Sequence, residues 1–256
     1  MNREITEFKI RDEEIKKFMT LISLIESNSI ITEDECPLDI VKTNPILKAS
    51  AMLALYNIIE STISNLLNYM HNSLCSKNLS FDDLNNEIQN LYITYHYKFK
   101  QKKGDDIHQF VSLVNDTIKL VTGKTIFNLK YKQMSEYYSI YSGNLDTKKI
   151  RTTLDKYGVK LPYLKYTNGR IYKSTKEEID ELNKNNNKKN IVGHSLHTIM
   201  NVRNKLAHGE LSFEEYGRQL VTDDLKTYYR DTLFFLRITI LKVNYFLLKE
   251  RFKSQQ

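Results

Sequence analysis

Glycine and proline are both scarce in this chain of 256 residues, which contains 8 and 3 of them respectively. Because strands joined by tight turns use both residue types, their scarcity favours a fold built from long helices. Cysteine is scarcer than glycine, and the two cysteines, Cys36 and Cys75, lie far apart without CxxC spacing. The sequence therefore predicts neither a disulfide framework nor a zinc site, and we expect no metal and no cofactor.

A long uninterrupted apolar run is also missing. The N-terminus lacks the apolar core of a signal peptide, and the most apolar stretch, about residues 232–248, contains Arg237, Lys242 and Asn244. A transmembrane helix needs about 20 mostly apolar residues, so we predict a cytoplasmic protein with no membrane partner. With 41% hydrophobic and 27% charged residues, the composition is typical of a globular protein.

The net charge of +7 is distributed unevenly along the chain. Residues 1–94 carry a net charge of −6, residues 95–190 carry +10, and residues 191–256 carry +3. The basic middle third also contains many tyrosines. Because lysine and arginine neutralise phosphates and aromatic rings stack on unpaired bases, this pattern suits single-stranded RNA. A solvated surface on a lysine-rich protein explains the same pattern equally well.

Apolar residues at helical spacing predict an all-α fold. The predicted helices cover about 7–30, 45–76, 80–98, 107–122, 146–157, 174–183, 191–208, a short segment after Ser212, and 222–252. Residues 124–143 are predicted to be irregular or extended, and 158–173 to form a loop or a small hairpin. We interpret residues 1–256 as a single domain. In this interpretation a helical bundle forms from about 7–98 and 191–252, with a basic, partly irregular insertion at about 99–190.

Arg203 occupies an unusual position in the helix predicted over 191–208. At 100° per residue it falls in the middle of the apolar stripe of that helix, which consists of Val192, Leu196, Ile199 and Leu206. A guanidinium does not lose its charge, so it needs a carboxylate partner there, or the stripe borders a functional cleft. Glu60, beside the apolar face of the 45–76 helix, is a candidate partner. A structural Arg203–Glu60 ion pair and a functional site remain alternatives at this point.

His208 follows Arg203 by five residues, about 7.5 Å further along an ideal helix and 140° around it. It directly precedes Gly209, a residue that commonly ends helices. The helix dipole favours a protonated imidazole at this end, and imidazole exchanges protons near neutral pH. A favourable charge at the helix end is the usual role of a lone histidine there. The combination with Arg203 instead indicates a functional site.

The segment from Arg203 to His208, with Asn204 and Lys205 between them, resembles the R-x4-6-H signature of the HEPN superfamily (higher eukaryotes and prokaryotes nucleotide-binding). Residues 55–62 are similar to the early helix of the MAE-type bacterial HEPN-like nucleases, which carries an acidic residue near the active site. Residues 143–158 resemble another segment of the same proteins. The resemblance covers about half of the chain.

The resemblance implies a HEPN-like helical bundle that dimerises so that two R-x4-6-H motifs line one composite active site. It also implies metal-independent cleavage of RNA, with His208 as general acid or base and Arg203 bound to the phosphate. Asn204 and Glu60 would orient these two groups, and the products would carry 2′,3′-cyclic phosphate ends. A toxin or antiphage-defence effector is expected from the same resemblance, with a cognate antitoxin or a defence-system protein as a further partner.

Four basic residues are candidates for contact with RNA phosphates: Lys148, Lys149, Arg151 and Lys205. A solvated face is the simpler explanation for each of them taken singly. His194 and His197 have the i, i+3 spacing of a metal-binding pair, but no third ligand accompanies them in the sequence. We therefore interpret these two histidines as surface or core residues.

Two other functions remain open on the sequence. The first is a non-catalytic RNA-binding or dimerisation module, since some HEPN proteins keep the fold without activity. The second is a partner-binding subunit of a defence complex, whose basic insertion would contact an acidic protein. The ribonuclease hypothesis differs from both because it requires Arg203 and His208 for activity.

Overall fold

The computed structural model describes residues 2–27, 40–101, 107–122, 126–138, 143–185 and 187–254. These residues form ten α-helices, one antiparallel hairpin and a short 3₁₀ helix, so the predicted all-α class is confirmed. The helices are α1 (Asn2–Glu26), α2 (Ile40–Cys75), α3 (Asn86–Gln101), α4 (Ile107–Val121), α5 (Tyr131–Tyr137), α6 (Thr147–Asp155), α7 (Lys176–Lys184), α8 (His194–Ala207), α9 (Phe213–Gln219) and α10 (Thr222–Leu248). The hairpin strands are β1 (Tyr163–Thr167) and β2 (Arg170–Ser174), and the 3₁₀ helix is Lys188–Asn190. Cys36 and the other residues of 28–39 lie outside the described residues.

Helix α2 is the centre of the core. It packs against α1, α8, α9 and α10, and its fully buried side chains include Met52, Leu55, Ile59, Ile63 and Leu67. Burial of apolar area, at about 25 cal/mol per Å², supplies most of the stability of such a bundle. By length and composition alone, Thr43–Cys75 would be long and apolar enough to cross a membrane, and 50% of its most apolar window is buried in the protein. A core helix has the same properties.

Helix α2 begins at Ile40, five residues before the start that Pro45 predicts. At this end, α9 lies directly on the backbone of α2. A Cβ atom at Gly217 would lie 1.8 Å from the carbonyl oxygen of Pro45, so only glycine permits this approach. The missing side chain at 217 therefore lets α9 cover the first turns of α2.

Two local predictions were wrong. The helix predicted from residue 80 begins only at Asn86, because the backbone N–H and the hydroxyl of Ser80 both donate to Asp83 at 2.7 Å and close a turn instead. The cap of α3 is Asn85, whose Oδ1 accepts from the N–H of Ile88 at 2.9 Å. Residues 124–143 were predicted without a helix, whereas seven of them form α5. This helix lacks a side-chain cap, so its start carries no signal in the sequence.

The basic middle of the chain contains the hairpin. A small hairpin was one of the two alternatives predicted for residues 158–173. Its turn residues Asn168 and Gly169 both have positive φ, 50° and 72°. Two such residues match the right-handed twist of the flanking strands, which is why Asn-Gly is common in two-residue hairpin loops. The hairpin contacts α7 and the 3₁₀ helix, and through them it lies close to the start of α8.

His71 joins α2 to the middle of the chain. Its ring is fully buried, Nδ1–H donates to the carbonyl of Leu129 at 2.5 Å, and Nε2 accepts from the hydroxyl of Tyr157 at 2.7 Å. Burial disfavours the charged ring and lowers the pKa of His71 to about 4, against the opposing effect of the Leu129 carbonyl. The native protein therefore holds a neutral histidine here.

This buried histidine predicts a loss of stability in acid. Below pH 6.5 the unfolded chain protonates His71 while the folded chain does not, so the free energy of unfolding falls as the pH falls from about 6.5 to about 4. The full effect is about 3 kcal/mol for this one group. Urea denaturation at a series of pH values measures it. The His71→Phe variant should be less stable at pH 7.5 but should lose less stability in acid, and equal slopes for both proteins would contradict the prediction.

Candidate active site

The first turn of α8 is fixed by a residue from another helix. Gly193, with φ of 85°, is its N-cap and offers no side chain. Instead the buried carboxylate of Asp231 in α10 accepts from the N–H groups of Gly193 at 2.8 Å and Ser195 at 3.0 Å. The hydroxyl of Tyr166 on β1 donates to the same carboxylate at 2.9 Å. A negative charge at this end complements the helix dipole, so Asp231 sets where α8 begins.

Gly193 itself is packed too tightly for a side chain. A Cβ atom there would lie 2.8 Å from the ring of Phe235 and 2.9 Å from Oγ1 of Thr147. That Thr147 hydroxyl donates to the carbonyl of Gly193 at 2.5 Å. The start of α8 is thereby joined to α6 on one side and to α10 on the other.

Arg203 lies on α8 where the helical phase predicts it, and its side chain is half-buried. The centre of its guanidinium lies 4.8 Å from the ring centroid of Tyr56 on α2, close enough for a cation–π interaction. Its Nη1 donates to Oδ1 of Asn204 at 3.1 Å. Within the described part of the chain these contacts use one of the five N–H donors of the guanidinium, which leaves others for a phosphate.

Glu60 is close to this group but is not the direct partner of Arg203. No ion pair within the described part of the chain joins the two side chains, and Oε1 of Glu60 accepts from the hydroxyl of Tyr56 at 3.3 Å. The expectation that Glu60 holds Arg203 is therefore corrected, because Tyr56 lies between them. Helical phase indicates which face a side chain occupies, but not which neighbour it reaches first.

Tyr56 is the residue of this site that the sequence analysis missed. It is 1% exposed, its hydroxyl accepts from the N–H of Leu145 at 3.3 Å, and burial is the main cause that raises its pKa. The phenol therefore stays neutral and connects α2, Arg203 and the segment before α6. The available signal was a tyrosine one helical turn before Glu60, on the stripe that faces α8.

His208 stands apart from these side chains. It is the C-cap of α8, its backbone N–H donates to the carbonyl of Asn204 at 2.9 Å, and its imidazole is exposed. Gly209 follows with φ of 71° and ends the helix as predicted. The structure thus brings Arg203, Asn204, Tyr56 and Glu60 together, while His208 faces solvent where a substrate or a second chain has access.

The four predicted phosphate contacts fall into two groups. Lys148 and Lys205 are exposed, but Lys149 donates from Nζ to the carbonyl of Gly143 at 3.1 Å. Arg151 donates to the carbonyls of Leu161 at 2.7 Å and Pro162 at 2.9 Å. Lys149 and Arg151 therefore hold neighbouring backbone, and their contact with phosphates stays a prediction. The sequence shows their charge but not the carbonyl oxygens that fold against them.

The two histidines at the start of α8 do not form a metal site. Nδ1 of His197 lies 3.6 Å from the carboxylate of Asp146, and Nε2 lies 3.1 Å from the side-chain amide of Asn201. Burial lowers the pKa of His194, and the nearby charges of Lys188 and Lys189 also lower it, against the attraction of Asp231. Among the described residues, no three His, Cys, Asp or Glu side chains are grouped to hold a metal ion.

Comparison with known proteins adds one finding. The model of the HEPN_MAE_28990-like HEPN family matches residues 3–252 of the chain. This range includes Tyr56 and Glu60 on α2, the segment before α6, and the whole of α8. No curated protein and no solved structure matches the chain.

Proposed function

Because the chain belongs to the MAE-type HEPN family, we propose that it is an endoribonuclease that cleaves RNA without a metal ion. The observation that supports this most is the half-buried Arg203 on the ring of Tyr56, on the same helix that ends in the exposed His208. A cation fixed on one side and an imidazole open to solvent are the two groups that phosphodiester cleavage in RNA needs.

The reaction uses the nucleophile of the substrate. The 2′-oxygen of RNA attacks the neighbouring phosphorus and the bond to the 5′-oxygen breaks, which leaves a 2′,3′-cyclic phosphate and a 5′-hydroxyl. In this proposal His208 takes the proton of the 2′-hydroxyl or supplies one to the leaving 5′-oxygen. Arg203 binds the phosphate and offsets the charge that grows in the transition state. Tyr56, Asn204 and Glu60 position Arg203.

We propose that the complete site belongs to a homodimer. Arg203 and His208 lie about 140° apart around α8 by helical geometry, and in one protomer no side-chain contact described here joins them. A second copy that packs beside Arg203 near the end of α8 brings its own His208 toward this guanidinium. A symmetric interface of this kind offers the same surface twice.

The resemblance to HEPN proteins is what supports a proposal for the biological role. We propose that the protein acts in the cytoplasm as a toxin or an antiphage-defence effector. A cognate antitoxin or a defence-system protein would then control it. Adjacent genes for such a partner would support this role. An antitoxin gene would indicate a toxin, and defence genes would indicate an antiphage-defence effector.

Mixing two inactive variants tests both the activity and the composite site. Arg203→Ala and His208→Ala are each expected to be inactive on RNA in excess EDTA. If the two residues act across the dimer, unfolding and refolding a one-to-one mixture restores about a quarter of the wild-type rate, because half the dimers are mixed and each regains one of two pairs. The rate is measured by release of fragments from labelled RNA.

The outcomes of this experiment separate the candidate functions. No recovery on mixing would contradict the composite site while leaving a cleavage site within one protomer. Full activity of both single variants, or activity that EDTA abolishes, would contradict the proposed ribonuclease. RNA affinity without any cleavage by the wild-type protein would instead favour a non-catalytic RNA-binding module.

A further inference from the structure

A cleft of about 750 Å³ opens beside the first half of α8. Its walls are α6, β1, α7, the 3₁₀ helix and the start of α8. It lies at the opposite end of α8 from His208. We refer to it below as the α6–α8 cleft. Its size suits part of a polynucleotide. Its walls come from separate segments of the chain, so no local pattern in the sequence predicts it.

Three lysines in the α6–α8 cleft are available for an anion. Lys148 from α6, Lys176 from α7 and Lys188 from the 3₁₀ helix all line it. All three are exposed, and none of them forms an ion pair within the described ranges of the chain. They come from three separate elements, so the fold itself brings their charges to one place.

The carboxylates of the cleft are mostly engaged elsewhere. Asp146 caps α6 by accepting from the N–H of Lys149 at 2.8 Å, and its other oxygen faces His197. Asp155 pairs with Lys160 at 3.3 Å. Asp180 is the third carboxylate, and it forms no ion pair with another described residue. The cleft therefore keeps an excess of positive charge.

An aromatic ring is held rigidly in the same cleft. The guanidinium of Arg151 lies 4.3 Å from the ring centroid of Tyr163, and it is itself fixed by the carbonyls of Leu161 and Pro162. Because Arg151 is bonded in this way, Tyr163 loses little freedom when a base stacks near it. Aromatic side chains beside a basic groove are typical of single-stranded nucleic acid sites.

Polar side chains connect the cleft with the end of α8. His197, Asn201 and His208 lie at about 140°, 180° and 160° around the helix, measured from Val192, and so share one face. All three are exposed. His197 and His208 are about 16 Å apart along the axis of an ideal helix. A strand that passes His208 therefore reaches the cleft within a few nucleotides.

We propose that the α6–α8 cleft binds the single-stranded RNA that flanks the bond cut at His208. Lys148, Lys176 and Lys188 bind its phosphates, and Tyr163 stacks on a base. This inference rests on the proposed ribonuclease function and adds to it the path and the strandedness of the substrate. The cleft would then set how far from a duplex or an end the enzyme cuts.

The test compares two triple variants in an inactive His208→Ala background, so that the RNA stays intact. In the first, the cleft variant, Lys148, Lys176 and Lys188 are changed to alanine. In the matched control the alanines replace three exposed lysines on other faces, Lys9, Lys242 and Lys249. Each variant loses three positive charges. Binding of a labelled single-stranded RNA is measured by fluorescence anisotropy over a range of salt concentrations.

The cleft variant should bind RNA at least about tenfold more weakly in dilute salt, and the slope of log affinity against log salt should be smaller by about 2. The control should change affinity by less than about twofold. Photocrosslinking with 4-thiouridine RNA should attach nucleotides a few positions from the cleavage site to the peptide that contains Tyr163. Crosslinks only to other peptides would contradict the path.

The remaining outcomes tell this inference apart from the function on which it rests. If both triple variants bind RNA alike while the wild-type enzyme cuts it, the cleft proposal is overturned and the ribonuclease proposal stands. If the His208→Ala parent binds no RNA and the wild type cuts none, both are overturned. If AMP binds to the cleft lysines while RNA affinity does not depend on them, the cleft is a mononucleotide site and the inference fails.

Discussion

His208→Ala is expected to lower the rate of RNA cleavage by a factor of about 100 to 10,000, the range typical of a lost general acid or base. The imidazole is exposed and has no side-chain partner that the described structure records, so its removal leaves the packing intact. The melting temperature should therefore change little. The rate is measured with labelled RNA in excess EDTA, and stability by thermal unfolding.

Three further measurements make this result specific. Added imidazole should partly restore cleavage by His208→Ala, because a small base can enter the space that the side chain leaves, whereas a purely structural defect would not respond. His108→Ala removes another exposed histidine, on α4, and should keep the wild-type rate. Polynucleotide kinase should label the new 5′ ends without prior dephosphorylation. Equal activity of His208→Ala and wild type would contradict the assignment.

Asp231→Ala is expected to produce the largest loss of stability among the substitutions considered. It leaves the N–H groups of Gly193 and Ser195 and the hydroxyl of Tyr166 without their acceptor. An unsatisfied buried donor costs about 1–3 kcal/mol, so the free energy of unfolding should fall by about 3 kcal/mol or more. For a chain of this size the melting temperature drops by roughly 6–12 °C.

The control for this substitution lies on the same helix. Asp223 is in the first turn of α10 and is exposed, so Asp223→Ala should cost less than about 1 kcal/mol. Asp231→Asn keeps one acceptor oxygen and should fall between the two. Hydrogen exchange should quicken in the first turn of α8 in Asp231→Ala. Equal melting temperatures for the two alanine variants would show that Asp231 does not hold α8.

The sequence was sufficient for the parts of the site that depend on helical phase. The helix over 191–208, the intrusion of Arg203 into its apolar stripe and the stop at Gly209 all follow from spacing within one segment. The Asn168-Gly169 turn is likewise a local signal. In each of these cases the residues that decide the structure are neighbours in the chain.

The parts that were missed depend on contacts between distant segments. Tyr56 separates Glu60 from Arg203, and no pattern within α2 or α8 indicates which side chain of one helix reaches the other. Arg151 looks like a surface cation in sequence, but the carbonyls of Leu161 and Pro162 fold onto it. Such pairings arise only when the tertiary structure forms, so the pattern of residues within one segment does not predict them.

The cap on α8 also bears on how the protein is made. Asp231 follows Gly193 by 38 residues, so a growing chain on the ribosome has synthesised the whole motif from Arg203 to His208 before the residue that fixes the helix exists. Until α10 emerges, the first turn of α8 has no acceptor for its N–H groups. A chain assembled in this order completes the start of α8 only after Asp231 of α10 has been synthesised.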